Sequence, residues 1–144
     1  MPRLKIDLPK KILVSVSVPV RITDINYGNH VGNHAIVEII HEARVQFLKN
    51  HGFTELDIAG TALIMSELLV EYKNESFYND ILEINIYCGE ITRVAFELFY
   101  KISTKRNEEE IIIALAKTGM VCYNYELKKV TPVPQELQSI LSET

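Results

Sequence analysis

The chain has no tryptophan, only two cysteines, five prolines and six glycines in 144 residues. With so little proline and glycine, and with 47% of positions apolar, a collagen-like, low-complexity or disordered chain is excluded. Cys88 and Cys122 lie in separate apolar runs, outside any C-x-x-C or Cys/His cluster. They read as buried free thiols, which suits a reducing cytoplasm. Basic residues are in deficit, 15 against 19 acidic ones for a net charge of -4, so the positive footprint that nucleic acid requires is missing. The longest wholly apolar run, "IIIALA" at 111–116, is far short of the roughly 20 residues that cross a bilayer. At the N-terminus, "MPRLKIDLPKKILVSVSVPV" alternates apolar residues with serine and shows no small-residue cleavage site, so it is expected to be a mature strand. No P-loop, Rossmann fingerprint or G-x-S-x-G elbow occurs. The expectation is a soluble cytoplasmic protein with neither nucleic acid nor membrane as partner.

What is present is strong periodicity. The length suits a single domain, residues 1–144, able to bury roughly two thirds of its unfolded surface. Over 12–20, "ILVSVSVPV" places Ile12, Val14, Val16, Val18 and Val20 on one face, the period of a strand, with Pro19 marking an edge or an end. After a polar stretch the period changes. Ile36, Ile40, Ala43 and Phe47 recur at helical spacing, and with Asn33 as N-cap and Gly52 as stop they predict a helix over about 34–51. Its first half, "AIVEII", is apolar nearly all round and so is expected to be covered on more than one side. Four further strand patterns follow at 62–72, 81–91, 94–104 and 110–125, the last with a bulge near Thr118 and Gly119. Short connections imply antiparallel neighbours, and the tail predicts a short helix beginning near Pro134.

The expected fold class is therefore α+β, an antiparallel sheet of about five to six strands wrapped around one long central helix. Leu63, Met65, Leu69, Phe99 and Ile112 are expected on the sheet face away from that helix, where a partner subunit would cover them.

The polar stretch "DINYGNHVGN" at 24–33 carries the specific signal. With Arg21 before it, Asp24, His30, Val31 and Asn33 within it, an "EAR" run at 42–44, Tyr72 closing a strand and Asp80 before the next, the sequence resembles the hotdog-fold acyl-CoA thioesterases of the 4-hydroxybenzoyl-CoA thioesterase type. The resemblance runs from about 12 to 125. It implies hydrolysis of an acyl-CoA or acyl-carrier-protein thioester, a homodimer or homotetramer, and no cofactor beyond the CoA that belongs to the substrate. The sequence also departs from the family pattern. Asn26 replaces the Asp of D-x-D that the family uses as nucleophile or base, Asn29 replaces a Gly, and Gly32 replaces the first Asn of "HVNN".

Thioester hydrolysis needs an activated water or carboxylate on one side of the carbonyl and donors for the developing oxyanion on the other. The resemblance assigns the donors to the backbone at the helix start, around Asn33, where N–H groups lack intrahelical partners. For activation the candidates are Asn26, whose amide orients a water; Asp24, which also reads as a loop brace; and Glu67, an acid inside an apolar strand that a partner subunit would present, or that simply faces solvent. His30 is a candidate base and equally a hydrogen-bonded structural group. His30, His34 and His41 do not form a convincing metal set, because zinc histidines on one helix prefer i, i+4 spacing with a third ligand and the first of these precedes the helix. Two alternatives stand beside hydrolysis. One is a dehydratase or hydratase of the same fold with His30 as base and Glu67, Glu38 or Glu42 as acid; the other is a non-catalytic acyl-CoA-binding protein that has lost its carboxylate.

Overall fold

A computed structural model describes residues 5–142. Its elements run β1 (Ile12–Pro19), a 3-10 turn (Ile22–Asp24), α1 (Asn33–Asn50), β2 (Ala62–Tyr72), β3 (Ile81–Ile91), β4 (Ala95–Arg106), β5 (Glu109–Asn124), β6 (Lys129–Val130) and α2 (Gln135–Leu141). The strands form one antiparallel sheet in the order β1-β3-β4-β5-β2, with the two-residue β6 pairing the end of β5. The α+β expectation therefore holds, with six strands and two α-helices among the described residues.

Alternation decides the inner face. Phe96, Leu98, Tyr100 and Ile102 of β4 are buried, as are Ala114, Ala116, Thr118, Met120 and Cys122 of β5, while their neighbours in sequence are more exposed. On the valine face of β1, Val16 is buried and Val14 and Val18 are partly so; Ile12 escapes this face because the register with β3 shifts between Ile12 and Val14. Against the inner side α1 contributes Ala35, Ile36, Ile39, Ile40, Ala43, Phe47 and Leu48, and α2 adds Leu137, Ile140 and Leu141 to the same core. Each such side chain is worth about 1.5–3 kcal/mol in burial, so truncating Phe47 to Ala would cost about 3–5 kcal/mol. Among the described residues no helix is long and apolar enough to cross a membrane.

The prediction for the outer face needs correction. In β2, Met65 lies opposite Met120 but Glu67 lies opposite Gly119, so Ser66 is an extra residue. That bulge reverses the strand's parity. Leu63 consequently belongs to the core, Met65 shares its side, and after the bulge Leu68, Val70 and Tyr72 share the inner side with Thr118, Ala116 and Ala114. Leu69 and Phe99 do pair with Lys117 on the outer side. This outer side is also crossed by the chain itself. Ser15, Asn85, Lys101, Leu115 and Glu71 form one row across the sheet, and the amide of buried Ile6 donates to Glu71 Oε1 at 3.4 Å. Residues 6–11 thus stretch from one edge strand to the other.

Halfway along α1, Arg44 is buried yet fully engaged. Its Nε donates to Glu55 Oε2 at 2.7 Å and its Nη1 to Tyr100 Oη at 3.3 Å, and Tyr100 Oη bonds Thr118 Oγ1 at 2.7 Å. His41 Nε2 meets the other oxygen of Glu55 at 2.6 Å. Burial opposes ionisation of Glu55, but the bonds and charges of Arg44 and His41 together outweigh it and hold the carboxyl below its usual range. Helix, connection and sheet are tied together by this network.

Candidate active site

The loop before α1 is built by its own polar groups. Asp24 is buried: its Oδ2 accepts the Arg21 amide at 2.8 Å and its Oδ1 the Arg21 guanidinium at 3.3 Å, while its carbonyl accepts the Gly32 amide at 3.0 Å. Both ends of the loop are therefore closed by one residue, which braces rather than projects. Two residues on, Asn26 Oδ1 accepts the Gly28 amide at 2.8 Å and the His30 amide at 3.4 Å, an Asx turn. Its Nδ2 has no protein partner among the described residues and remains a free donor. Asn29, where the resemblance would place a Gly, has φ 67°. Asn tolerates this left-handed conformation, so the turn survives the exchange.

His30 lies beside the turn. Its Nδ1 is 3.2 Å from the carbonyl of Val31; a carbonyl only accepts, so Nδ1 is the donor in this bond. The helix begins at Asn33, the residue expected to cap it, so the cap falls one residue earlier. Gly32, in extended conformation with φ -71° and ψ 154°, is the N-cap, and its carbonyl accepts the Ala35 amide at 3.0 Å. Asn33 is the first helical residue, and no side chain caps the helix. The N–H groups of Asn33 and His34 consequently have no protein partner among the described residues, at the positive end of an 18-residue helix.

Beside this end lies a cleft of about 210 Å³ lined by His30, Val31, Asn33, Ile36, Tyr72 and Ile113, and closed by residues 73–76. Tyr72 Oη donates to the Asn33 carbonyl at 2.9 Å, and burial raises its phenol pKa, which keeps it a neutral donor. The far wall is clamped by Asp80, whose Oδ2 accepts from Ser76 Oγ at 2.8 Å, Phe77 N at 2.9 Å and Arg106 Nη2 at 2.7 Å. The Ser76 carbonyl in turn holds the Val31 amide at 2.8 Å. Reasoning from the sequence noted Tyr72 and Asp80 only as marks of the resemblance and missed them as builders of the cleft.

The remaining candidates lie elsewhere in the protomer. Glu67 is on the outer side of the sheet, 3.1 Å from Lys117 Nζ, which also meets Glu97 at 3.4 Å. Glu38 and Glu42 line a separate groove of about 450 Å³ along α1 with Arg21, His41 and Val45. Asn26, His30, Asn33 and Asp24 are brought together; Glu67 is not.

With this geometry in view, the relatives can be placed. The model of the thioesterase-like superfamily matches residues 20–141. The chain belongs to the thioesterase-like superfamily. A protein of Aquifex aeolicus named as a candidate esterase is 27% identical over 104 residues, 71% of this chain and 77% of that one. A 1,4-dihydroxy-2-naphthoyl-CoA thioesterase from Synechocystis superposes with a TM-score of 0.80 at 20% identity, covering 90% of this chain and 95% of its own. A 4-hydroxybenzoyl CoA thioesterase mutant complexed with 4-hydroxybenzoyl CoA does so with a TM-score of 0.79 at 15% identity, covering 90% and 98%. The two structural matches establish the fold. In this thioesterase-like chain the side chain at position 26 is an amide.

Proposed function

We propose that the protein is an acyl-CoA thioesterase, hydrolysing an acyl-CoA to free acid and thiol with water as the only co-reactant and no cofactor. The observation that carries this reading is the uncapped start of α1: the Asn33 and His34 amides are unpaired beside a partly apolar cleft, and a tetrahedral oxyanion is what such a pair stabilises. Asn26 Nδ2, a free donor on the neighbouring turn, orients the substrate or its water. Cleft-facing Val31, Ile36 and Ile113 receive the acyl group next to the thioester.

The whole chain acts as one domain in a cytoplasmic homodimer. Edge strand β2 supports the dimer, since among the described residues it pairs only with β5 and exposes Met65, Leu68 and Tyr72, the last of which lines the cleft. A partner there would close the cleft from the open side. The dehydratase reading lacks support within one protomer, because His30 and the acids Glu38, Glu42 and Glu67 occupy separate surfaces. Binding without turnover draws its support from Asn26, whose Oδ1 is already used by the turn. Release of free thiol from aromatic, short and long acyl-CoAs tests the proposal; tight binding of an acyl-CoA with no thiol released would favour the non-catalytic reading.

A further inference from the structure

We propose that the imidazole of His34 is the general base of this site, replacing the carboxylate expected at Asn26; the inference rests on the thioesterase reading. Cα–Cβ bonds in a helix tilt towards its N-terminus, and His34 is the second residue of α1, so its ring folds back over the N-cap. A β-carbon built on Gly32 would fall 2.9 Å from His34 Cε1, closer than real β-carbons come, 3.2 Å from His34 Nδ1 and 3.7 Å from Asn26 Cβ. The ring and the Asn26 side chain therefore flank the same point. Two departures from the family pattern meet there: the acid is gone from 26, and the side chain is gone from 32, in the space the imidazole needs.

The other histidines each have a side-chain contact, His30 through Nδ1 alone, with its Nε2 left without a protein partner among the described residues. His30 Nδ1 is tied to the Val31 carbonyl, His41 Nε2 to Glu55, and the His51 ring packs edge-on against Phe47. Among the described residues His34 alone of the four has neither a side-chain hydrogen bond nor a ring contact. Its own amide and that of Asn33 are the unpaired donors, which places base and oxyanion donors on one turn. In the reaction the imidazole takes a proton from water as the water oxygen bonds to the carbonyl carbon, whose π pair moves onto oxygen facing the two amides. Collapse re-forms the carbonyl and breaks the C–S bond, and the departing thiolate takes the proton from the imidazolium. Carboxylic acid and thiol result.

The test is thiol release by the full chain with His34→Ala, His34→Gln and the double variant Asn26→Asp/His34→Gln. Loss of the base is expected to lower kcat by about 10²–10⁴-fold with KM little changed. Added imidazole should restore part of the rate of His34→Ala, and the new carboxylate part of that of the double variant. His34→Gln keeps the bulk and polarity of the ring, so it reports on chemistry if His34→Ala folds poorly. Wild-type kcat in His34→Gln, or a loss that neither imidazole nor Asn26→Asp repairs, would overturn the role of His34 and leave the hydrolase reading standing. A wild-type protein that releases no thiol from any acyl-CoA would remove both.

Discussion

The two polar regions of α1 use their groups in opposite ways. At its middle, Arg44 is buried with every neighbour answered: Glu55 on one side, Tyr100 and through it Thr118 on the other. At its start, Gly32 caps without a side chain, the Asn33 and His34 amides are left open, and Asn26 and His30 stand around them. Satisfied polar groups in a low-dielectric core fix a structure and are costly to disturb. Unsatisfied donors at a cleft remain available to a ligand. The same helix thus separates holding from reacting by about half its length.

The sharpest way to break this contrast is Arg44→Ala. It leaves Glu55 and Tyr100 without their cation and should cost about 3–5 kcal/mol of stability, read by denaturant unfolding, while thiol release per folded molecule stays near wild type. A large loss of kcat in the folded fraction would show that the two regions are not separate. Next in size, Asn26→Ala should lower kcat by about 10²-fold as a donor to substrate is lost, with a stability change of only about 1 kcal/mol from the turn.

Acid unfolding sharpens the comparison from the structural side. Burial works against ionisation of both Glu55 and Asp80, but Arg44 with His41, and Arg106 with the Phe77 amide and the Ser76 hydroxyl, together more than compensate, so both carboxyls sit below their usual range. A carboxyl depressed in the folded state stabilises it above the unfolded pKa, and that contribution disappears as pH falls through the folded value. Arg106→Gln should therefore move the midpoint of acid unfolding to higher pH, measured by circular dichroism; an unchanged midpoint would contradict the clamp. The smallest effect is expected for Tyr72→Phe, which loses one bond to the Asn33 carbonyl and should cost about 0.5–1.5 kcal/mol in thermal unfolding, with KM affected more than kcat.

Much of this is legible in the sequence. The patterns at 62–72 and 81–91 became β2 and β3 with the same bounds, and Gly52, at φ 80°, follows the end of α1 as a stop should. Asp24 as a brace was among the readings of the loop, because short polar side chains before a helix have few other partners. The faces of Leu63 and Met65 were not readable: they depend on Ser66 being an extra residue, and nothing in "LIMSELLVE" marks which residue a bulge inserts. Nor was the cap, since Asn is the better capping side chain, yet the backbone puts Gly32 in that place and hands Asn33 to the helix. The strand β6 is only two residues long and pairs through Tyr123 and Asn124, a tertiary choice with no periodicity to announce it.

The most direct test of the account is thiol release by Asn33→Pro. Proline suits the first helical position, where it removes an N–H that has no intrahelical partner, and the extended Gly32 before it is already in a conformation proline accepts. The helix should therefore persist while one oxyanion donor disappears. The account predicts wild-type folding with thiol release reduced by about 10²–10³-fold; a folded Asn33→Pro protein that hydrolyses its best acyl-CoA at the wild-type rate would contradict it.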